Sequence, residues 1–278
     1  MLEYRTENYV KDKVIIITGA SAGFGAATAK KAAAMGAKVV LAARREELLK
    51  AHVDEIRAAG GEAVYIKTDV RCRDQVEAMA KLAVDTYGRI DVLVNNAGTM
   101  PQAFFADHAW AIDAWEQCLD TALKGTLYGI CAVYDQMMLQ EQGHVINVSS
   151  TLGNQPVLGN GVYNVSKVGV RYLAESLRVE TRGKIKVTTV RPTSVTTTEL
   201  GRSIVNMDAA MAGMYGKLFE VFGKNPALMP GMLDRDSVQY AEPVADDLAD
   251  NILYAINQPW GVDISDITVR ASGETMFI

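Results

Sequence analysis

Tyr163 stands four residues before Lys167 in the stretch VYNVSK, and Ser150 closes an apolar run a little upstream. On a helix, positions i and i+4 share a face, so the phenol and the ammonium can address one point. An unperturbed phenol titrates near ~10 and is a poor base at neutral pH. A neighbouring ammonium favours the phenolate and lowers that value. Such a pair can donate a proton in one direction of a reaction and recover it in the other. The Ser150 hydroxyl could hold a substrate oxygen beside them. Taken alone, Y-x-x-x-K is a weak pattern, and an exposed helix pair is the plain alternative.

A second chemical signal lies near the start of the chain. TGASAGFG (18–25) places Gly19, Gly23 and Gly25, with Ser21 and Phe24 among them, between an apolar run and a helical stretch. Glycines at such a turn let backbone approach a pyrophosphate, and the helix start supplies free N–H groups and positive dipole. An ordinary strand–helix turn rarely needs three glycines. The next apolar run ends in AARREE. An acid there would accept from the 2′-OH of NAD, whereas Arg44 and Arg45 can pair with the 2′-phosphate of NADP. The other reading has both arginines capping the next helix against Glu46 and Glu47. A helix start favours acids over arginines, so NADP(H) is favoured over NAD(H).

These residues need a frame. Short Val/Ile/Leu-rich runs recur: VIIIT (14–18), KVVLAAR (38–44), AVYIKT (63–68), DVLVNN (91–96), HVINVSS (144–150), KVTTVRP (186–192) and DITVRA (266–271). They are near-continuously apolar, as strands buried on both faces are. Helical segments such as AATAKKAAAM, RREELLKAHVDEIRAAG and DQVEAMAKLAVDTYG separate them. The alternation predicts one α/β domain over residues 1–278, a doubly wound parallel sheet of about seven strands with helices on both faces. Ligands of such sheets sit beyond the carboxyl ends of the strands, where Ser150 falls. Residues 199–236 break the rhythm and are rich in Met, Phe and Gly. They predict a helical excursion that is either plain core or a substrate cover, with Met207 and Met211 as candidate substrate contacts.

Composition narrows the function. The chain has 278 residues, 49% of them apolar, and a net charge of −5 without long charged runs. No basic stripe marks a nucleic-acid partner. No apolar run approaches membrane-spanning length and the N-terminus has no apolar leader, so the cytoplasm is expected. Cys72, Cys118 and Cys131 read as free thiols, the last two in or near the core. His52, His108 and His144 are scattered without ligand spacing, so no metal is expected, and His144 reads as a surface residue. TMPQAFFADHAW (99–110), with Phe104, Phe105 and Trp110, could line a substrate mouth or pack at a subunit contact.

With these motifs in order, the chain from about Lys11 onward resembles the classical short-chain dehydrogenases/reductases. The resemblance rests on TGASAGFG, TDV (68–70), NNAG (95–98), INVSS (146–150), YNVSK (163–167) and the RP turn (191–192). It implies Ser150, Tyr163 and Lys167 as catalytic residues. Ser150 would orient a carbonyl or hydroxyl, Tyr163 exchange its proton, and Lys167 lower the Tyr163 pKa and hold the nicotinamide ribose. It implies Asp69 and Val70 beside the adenine, Asn96, Ala97 and Gly98 along the cofactor, and Pro192, Val195 and Thr197 at the nicotinamide end. Leu152 would face the substrate. A homotetramer or dimer is the family's usual state.

Two positions depart from the family pattern. Ala122 in DTALKG (120–125) stands where the family has an Asn that carries a water behind the lysine, and alanine has no side-chain polar group. Thr193 stands where a Gly commonly follows the Pro. The expected activity is NADP(H)-dependent interconversion of a ketone and a secondary alcohol on a medium or large apolar substrate, steroid or aromatic. An NAD-linked dehydrogenase and a non-catalytic cofactor-binding protein are the alternatives, the latter motivated by Ala122.

Overall fold

The computed structural model describes residues 7–193, 195, 198–215, 229–241 and 243–274. Seven parallel strands form one sheet in the order β3-β2-β1-β4-β5-β6-β7. The strands are β1 (Val14–Thr18), β2 (Lys38–Ala43), β3 (Glu62–Lys67), β4 (Val92–Asn95), β5 (Gly143–Val148), β6 (Ile185–Pro192) and β7 (Asp266–Val269). The main helices are α1 (Gly23–Ala34), α2 (Glu46–Ala58), α3 (Arg73–Tyr87), α4 (His108–Leu119), α5 (Gly125–Leu139), α6 (Gly161–Glu180) and α7 (Ala245–Ile256). The order reverses between β1 and β4, which opens a crevice at the carboxyl edge of the sheet.

Strand composition explains the layering. All five residues of β1 are buried. Ile15 and Ile17 join α1, α2 and α7 in one core through Ala29, Leu49, Val53, Leu248 and Ile252. Val14 and Ile16 point the other way, into a second core with Val76, Met79, Val133, Met137 and Leu177 of α3, α5 and α6. Side chains alternate across a strand, so a sheet covered on both faces needs apolar residues at every position. Each fully buried Ile or Leu contributes about 1.5–3 kcal/mol of apolar transfer.

Two expectations from sequence are corrected. Cys131 is exposed, on the outer side of α5, whereas Cys118 is buried as expected. His144 is fully buried rather than at the surface. It is the second residue of β5, a strand paired on both sides, with Val92 and Lys186 beside it in register. Its Nε2 lies 2.8 Å from Thr188 Oγ1. Burial, and then the charges of Lys186, Lys13 and Arg178, hold its pKa well below the usual histidine value.

Residues 199–236 form only short pieces where described: a 3₁₀ segment Glu199–Ser203, a helical turn Met207–Ala210, a π turn Met211–Tyr215 and a turn Met229–Met232. Residues 216–228 lie outside the described residues. Among the described residues no helix is long and apolar enough to cross a membrane.

Candidate active site

The turn between β1 and α1 is held in a shape that only glycine adopts easily. Gly19 has φ +67° and Gly23 φ +53°, values at which a Cβ is strained. Asn96, at the end of β4, donates through Nδ2 to Thr18 O at 2.9 Å and Gly19 O at 3.4 Å. Its backbone N–H and that of Ala97 both donate to Thr18 Oγ1. Asn95 instead points inward and donates to Asn147 Oδ1 at 2.9 Å. The two asparagines of NNAG therefore divide the work, one tying β4 to β5 and one fixing the glycine turn. Helix α1 begins at Gly23 without a side-chain cap and without an acid in its first turn. Its first N–H groups and positive dipole face the crevice.

Helix α6 brings in the tyrosine and the lysine. Ser149 Oγ donates to Lys167 O at 2.9 Å, and Lys167 Nζ donates to Val148 O at 2.9 Å. Both bonds lock α6 to the end of β5, one residue from Ser150. Gly153 permits the approach, since a Cβ there would lie 3.3 Å from the Lys167 backbone. Ser150 accepts from Leu152 N–H at 3.1 Å. Its hydroxyl donates to Pro192 O at 3.5 Å, and it lies close enough to the Tyr163 phenol to favour the phenolate. Ser150, Tyr163 and Lys167 are 4–5% exposed.

The electrostatics differ from the simple sequence picture. Burial raises the Tyr163 pKa, and the Ser150 hydroxyl opposes this only in part. Lys167 Nζ is 5.6 Å from the Tyr163 ring centroid, and burial pushes its own pKa down to about 8. A lysine whose charge is itself destabilised stabilises a phenolate poorly. Tyr163 is therefore held protonated at neutral pH in the free protein.

A cavity of about 610 Å³ joins these groups. Its far end carries Arg44, Arg45, Asp69 and Val70. Its middle runs along Ser21, Phe24 and Asn96 to Gly98, and its near end holds Ser150, Leu152, Tyr163, Lys167, Pro192 and Val195. Gly25 lies beneath the glycine turn, where a Cβ would meet Gly19 O at 2.6 Å. Arg71 grips Asp69 through a fork, with Nε at 2.9 and 3.1 Å, and holds its carboxyl below the usual range. Arg45 precedes α2 but bonds neither Glu46 nor Glu47. It donates to Ser21 Oγ and pairs with Glu199.

Thr197 lies outside the described residues. Met207 is exposed, and neither it nor Met211 lines the cavity among the described residues. Asn206 accepts from the N–H groups of Asp208 and Ala209 to start that turn, which buries Ala209 and Ala210 instead of the methionines. Thr99 and Met100 of the 99–110 stretch, and Glu199, Leu200 and Arg202 of the 199–236 segment, line the cavity, as do Thr121 and Thr198, though sequence reasoning did not single these out as binding residues. No motif spacing marks them; they arrive by the path of the loops. Of the 99–110 stretch, only Thr99 and Met100 reach the cavity, while Phe105 is exposed and stacks edge-on to Trp115 at 5.7 Å.

Ala122 is buried on a π turn, Asp120–Lys124, between α4 and α5. Four residues earlier, Cys118 donates to Thr99 O at 3.3 Å and lies 3.8 Å from Ser166 Oγ. Burial raises its thiol pKa. Thr193 continues the β6–β7 pairing, its N–H donating to Val269 O at 3.1 Å.

Fold and site together define a dinucleotide-type α/β oxidoreductase. The chain belongs to the short chain dehydrogenase family, whose model matches residues 13–209. It is 38% identical to an uncharacterized oxidoreductase of Listeria innocua, over 94% of this chain and 96% of that protein. It is 35% identical to the glycine betaine reductase ATRR of Emericella nidulans over 94% of this chain, a match to 19% of that longer protein. A metagenomic short-chain oxidoreductase solved with NADP superposes with a TM-score of 0.72 at 30% identity, over 96% of this chain and all of that one. A closed serine dehydrogenase complexed with NADP+ gives 0.77 at 28%, over 95% and 96%.

Proposed function

We propose that this oxidoreductase interconverts a ketone and a secondary alcohol with NADP(H), Tyr163 exchanging the proton. The observation that carries the reading is the cavity itself. The Ser150 and Tyr163 hydroxyls stand at one end, and Arg44 and Arg45 at the other. The residues fit a dinucleotide. The α1 start is uncapped and free of acids, which suits a pyrophosphate. At Gly98 a Cβ would lie 3.6 Å from Lys167 Nζ, so glycine keeps room for a sugar beside the lysine. Bound nicotinamide supplies or accepts the hydride.

The chain's own residues do the rest. Arg44 and Arg45 present charge to a 2′-phosphate. Ser150 and Tyr163 hold the substrate oxygen between two hydroxyls. Tyr163, kept protonated by burial, donates from Oη as charge develops on that oxygen and recovers the proton in oxidation. Lys167, fixed to Val148 O, directs its remaining N–H groups toward the cofactor and the phenol. Ala122 offers no polar side chain to this path, which leaves Thr121, another polar group or a water to complete it, or a slower turnover.

Met100, Leu152 and Leu200 give the near end an apolar lining and support a substrate with an apolar body. The methionines of 207–211 no longer support it. Arg202 at the same cavity favours a second reading, a carboxylate-bearing alcohol. A panel of aryl and steroid ketones against short hydroxy acids, each with NADPH/NADP+ and NADH/NAD+, separates them. The proposal expects NADPH-linked ketone reduction. Turnover with NADH alone, or cofactor binding without turnover on any substrate, would overturn it.

A homo-oligomer is proposed as well. Val165, Val168, Tyr172 and Val179 are exposed and lie at i, i+3, i+7 and i+14 of α6, one apolar stripe. Light scattering after Tyr172→Glu should show a smaller species than the parent protein; equal masses would refute this stripe as the contact.

A further inference from the structure

We infer that Glu199 is a specificity-determining residue. It competes with the cofactor's 2′-phosphate for Arg45, and the exchange of partners is transmitted to the catalytic end through Leu200. The inference rests on the NADP(H) reading above and concerns a residue that reading leaves without a role.

The Arg45 guanidinium joins three elements. It leaves the end of β2, donates through Nε and Nη2 to Ser21 Oγ of the glycine turn at 3.2 and 3.0 Å, and pairs through Nη1 with Glu199 Oε2 at 2.6 Å. The other Glu199 oxygen, Oε1, holds Arg202 at 2.8 Å. The two side chains of the Arg45–Glu199 pair are 43% and 36% exposed, so solvent screens it and it stays exchangeable. Asp69, the other acid at this end, is already gripped by Arg71. Glu199 is thus the carboxylate that a 2′-phosphate must meet at Arg45.

Charge decides the contest. A phosphate monoester carries about −1.5 to −2 and offers three acceptor oxygens. It matches a guanidinium fork better than one carboxylate oxygen on a single nitrogen. Phosphate and carboxylate repel, so both cannot keep Arg45. An adenosine with a free 2′-OH brings no such charge and leaves the pair in place.

The next residues point the other way. Leu200 packs on the cluster of Met100, Cys118, Leu152 and Tyr163. Ser203 Oγ accepts from Met100 N–H at 2.8 Å and donates to Leu200 O. Thr198 leans on the glycine turn, its methyl 3.5 Å from where a Gly23 Cβ would be. The segment is pinned beside Met100, near the catalytic tyrosine, and tethered at its start by Arg45. Adjacent Cα atoms are 3.8 Å apart, so releasing Glu199 frees the residue whose neighbour touches the Tyr163 cluster. Reading of the 2′-phosphate and packing at the reaction end are thereby linked.

The experiment titrates the parent protein, Glu199→Gln, Arg45→Ala and the double variant with NADPH, NADH, adenosine 2′,5′-bisphosphate and 5′-AMP. Removing the competitor should tighten NADPH and the bisphosphate about three- to fivefold, the scale of one exposed ion pair. NADH and 5′-AMP should not tighten. The gain should vanish on the Arg45→Ala background. Hydrogen exchange at residues 199–203 should rise with the bisphosphate and not with 5′-AMP. If Arg45→Ala leaves NADPH affinity unchanged, the NADP(H) reading itself fails. If Arg45→Ala weakens NADPH while Glu199→Gln leaves it unchanged or weaker, the competition is refuted and that reading stands. Tightening without any change in exchange would refute the link to Leu200.

Discussion

Gly25 is the most exacting position in the glycine turn, and Gly25→Ala tests how that turn works. A Cβ there would lie 2.6 Å from Gly19 O and 2.7 Å from Asn96 Nδ2. Neither atom can step aside cheaply. Gly19 is already at φ +67°, with Asn96 Nδ2 and Ala97 Cα at 2.9 and 3.0 Å from its own Cβ position. Asn96 Nδ2 is engaged with Thr18 O. Overpacking of this kind costs about 1–3 kcal/mol, and losing the Asn96 bond about 1 kcal/mol more. Alanine's better helix propensity returns about 1 kcal/mol, because Gly25 lies inside α1. The net expectation is a loss of about 1–3 kcal/mol by urea denaturation. Gly88→Ala is the control. It has φ +78° and nothing within 4 Å of the added Cβ, so only the left-handed penalty of about 1–2 kcal/mol applies. Stability alone does not separate the two variants, but NADPH titration does. Gly25→Ala should weaken binding at least tenfold, because the displaced turn carries the α1 N-terminus, while Gly88→Ala should leave it unchanged. Gly25→Ala with unchanged stability and affinity would refute this account of the turn.

Three further outcomes are expected. Tyr163→Phe should lower turnover about 10²–10⁴-fold, the usual worth of a positioned acid, with NADPH affinity within a few-fold; retained turnover would remove Tyr163 from the chemistry. Ketone reduction, followed as kcat/KM, should fall as pH rises through about 8, where Lys167 loses its proton, and Lys167→Ala should abolish that limb of the profile. The same shift fixes a sign for stability. Lys167 binds its proton more weakly in the folded chain than at the ordinary value of 10.5, so its contribution disfavours folding below about pH 8. That disadvantage is relieved as pH rises toward 10.5. A profile flat across pH 7–10 would contradict both statements. Ala122→Asn should cost about 1–3 kcal/mol, since it forces an amide into a buried position against α6, and should not raise kcat; a faster enzyme would show that the site lacks a relay of its own.

Much of the fold was legible because its signals are local. VIIIT is apolar at its first four positions without alternation, as a strand covered on both faces requires, and β1 occupies those five residues. The glycines of TGASAGFG and the four-residue step from Tyr163 to Lys167 are backbone and helix-face properties, written within a few residues. His144 and Cys131 were misplaced because burial depends on which strands and helices flank a position. Periodicity gives an element's own faces and not its neighbours.

Residue type at short spacing was enough to read the doubly wound sheet, the glycine turn and the arginines after β2, whereas Ser150, Tyr163 and Lys167 stood out as a group only through the ordered family motifs around them. Only the tertiary structure decided where charge and loops meet. It turned Arg45 toward Ser21 and Glu199 rather than Glu46, although Glu199 lies 154 positions further along the chain. It set Leu200 on the Tyr163 cluster and left Met207 in solvent. It also raised the Tyr163 pKa, because the loss of water around the phenol outweighs the opposing effect of Ser150. Contacts between distant segments and the loss of water around a charge are products of packing, and no stretch of sequence carries them alone.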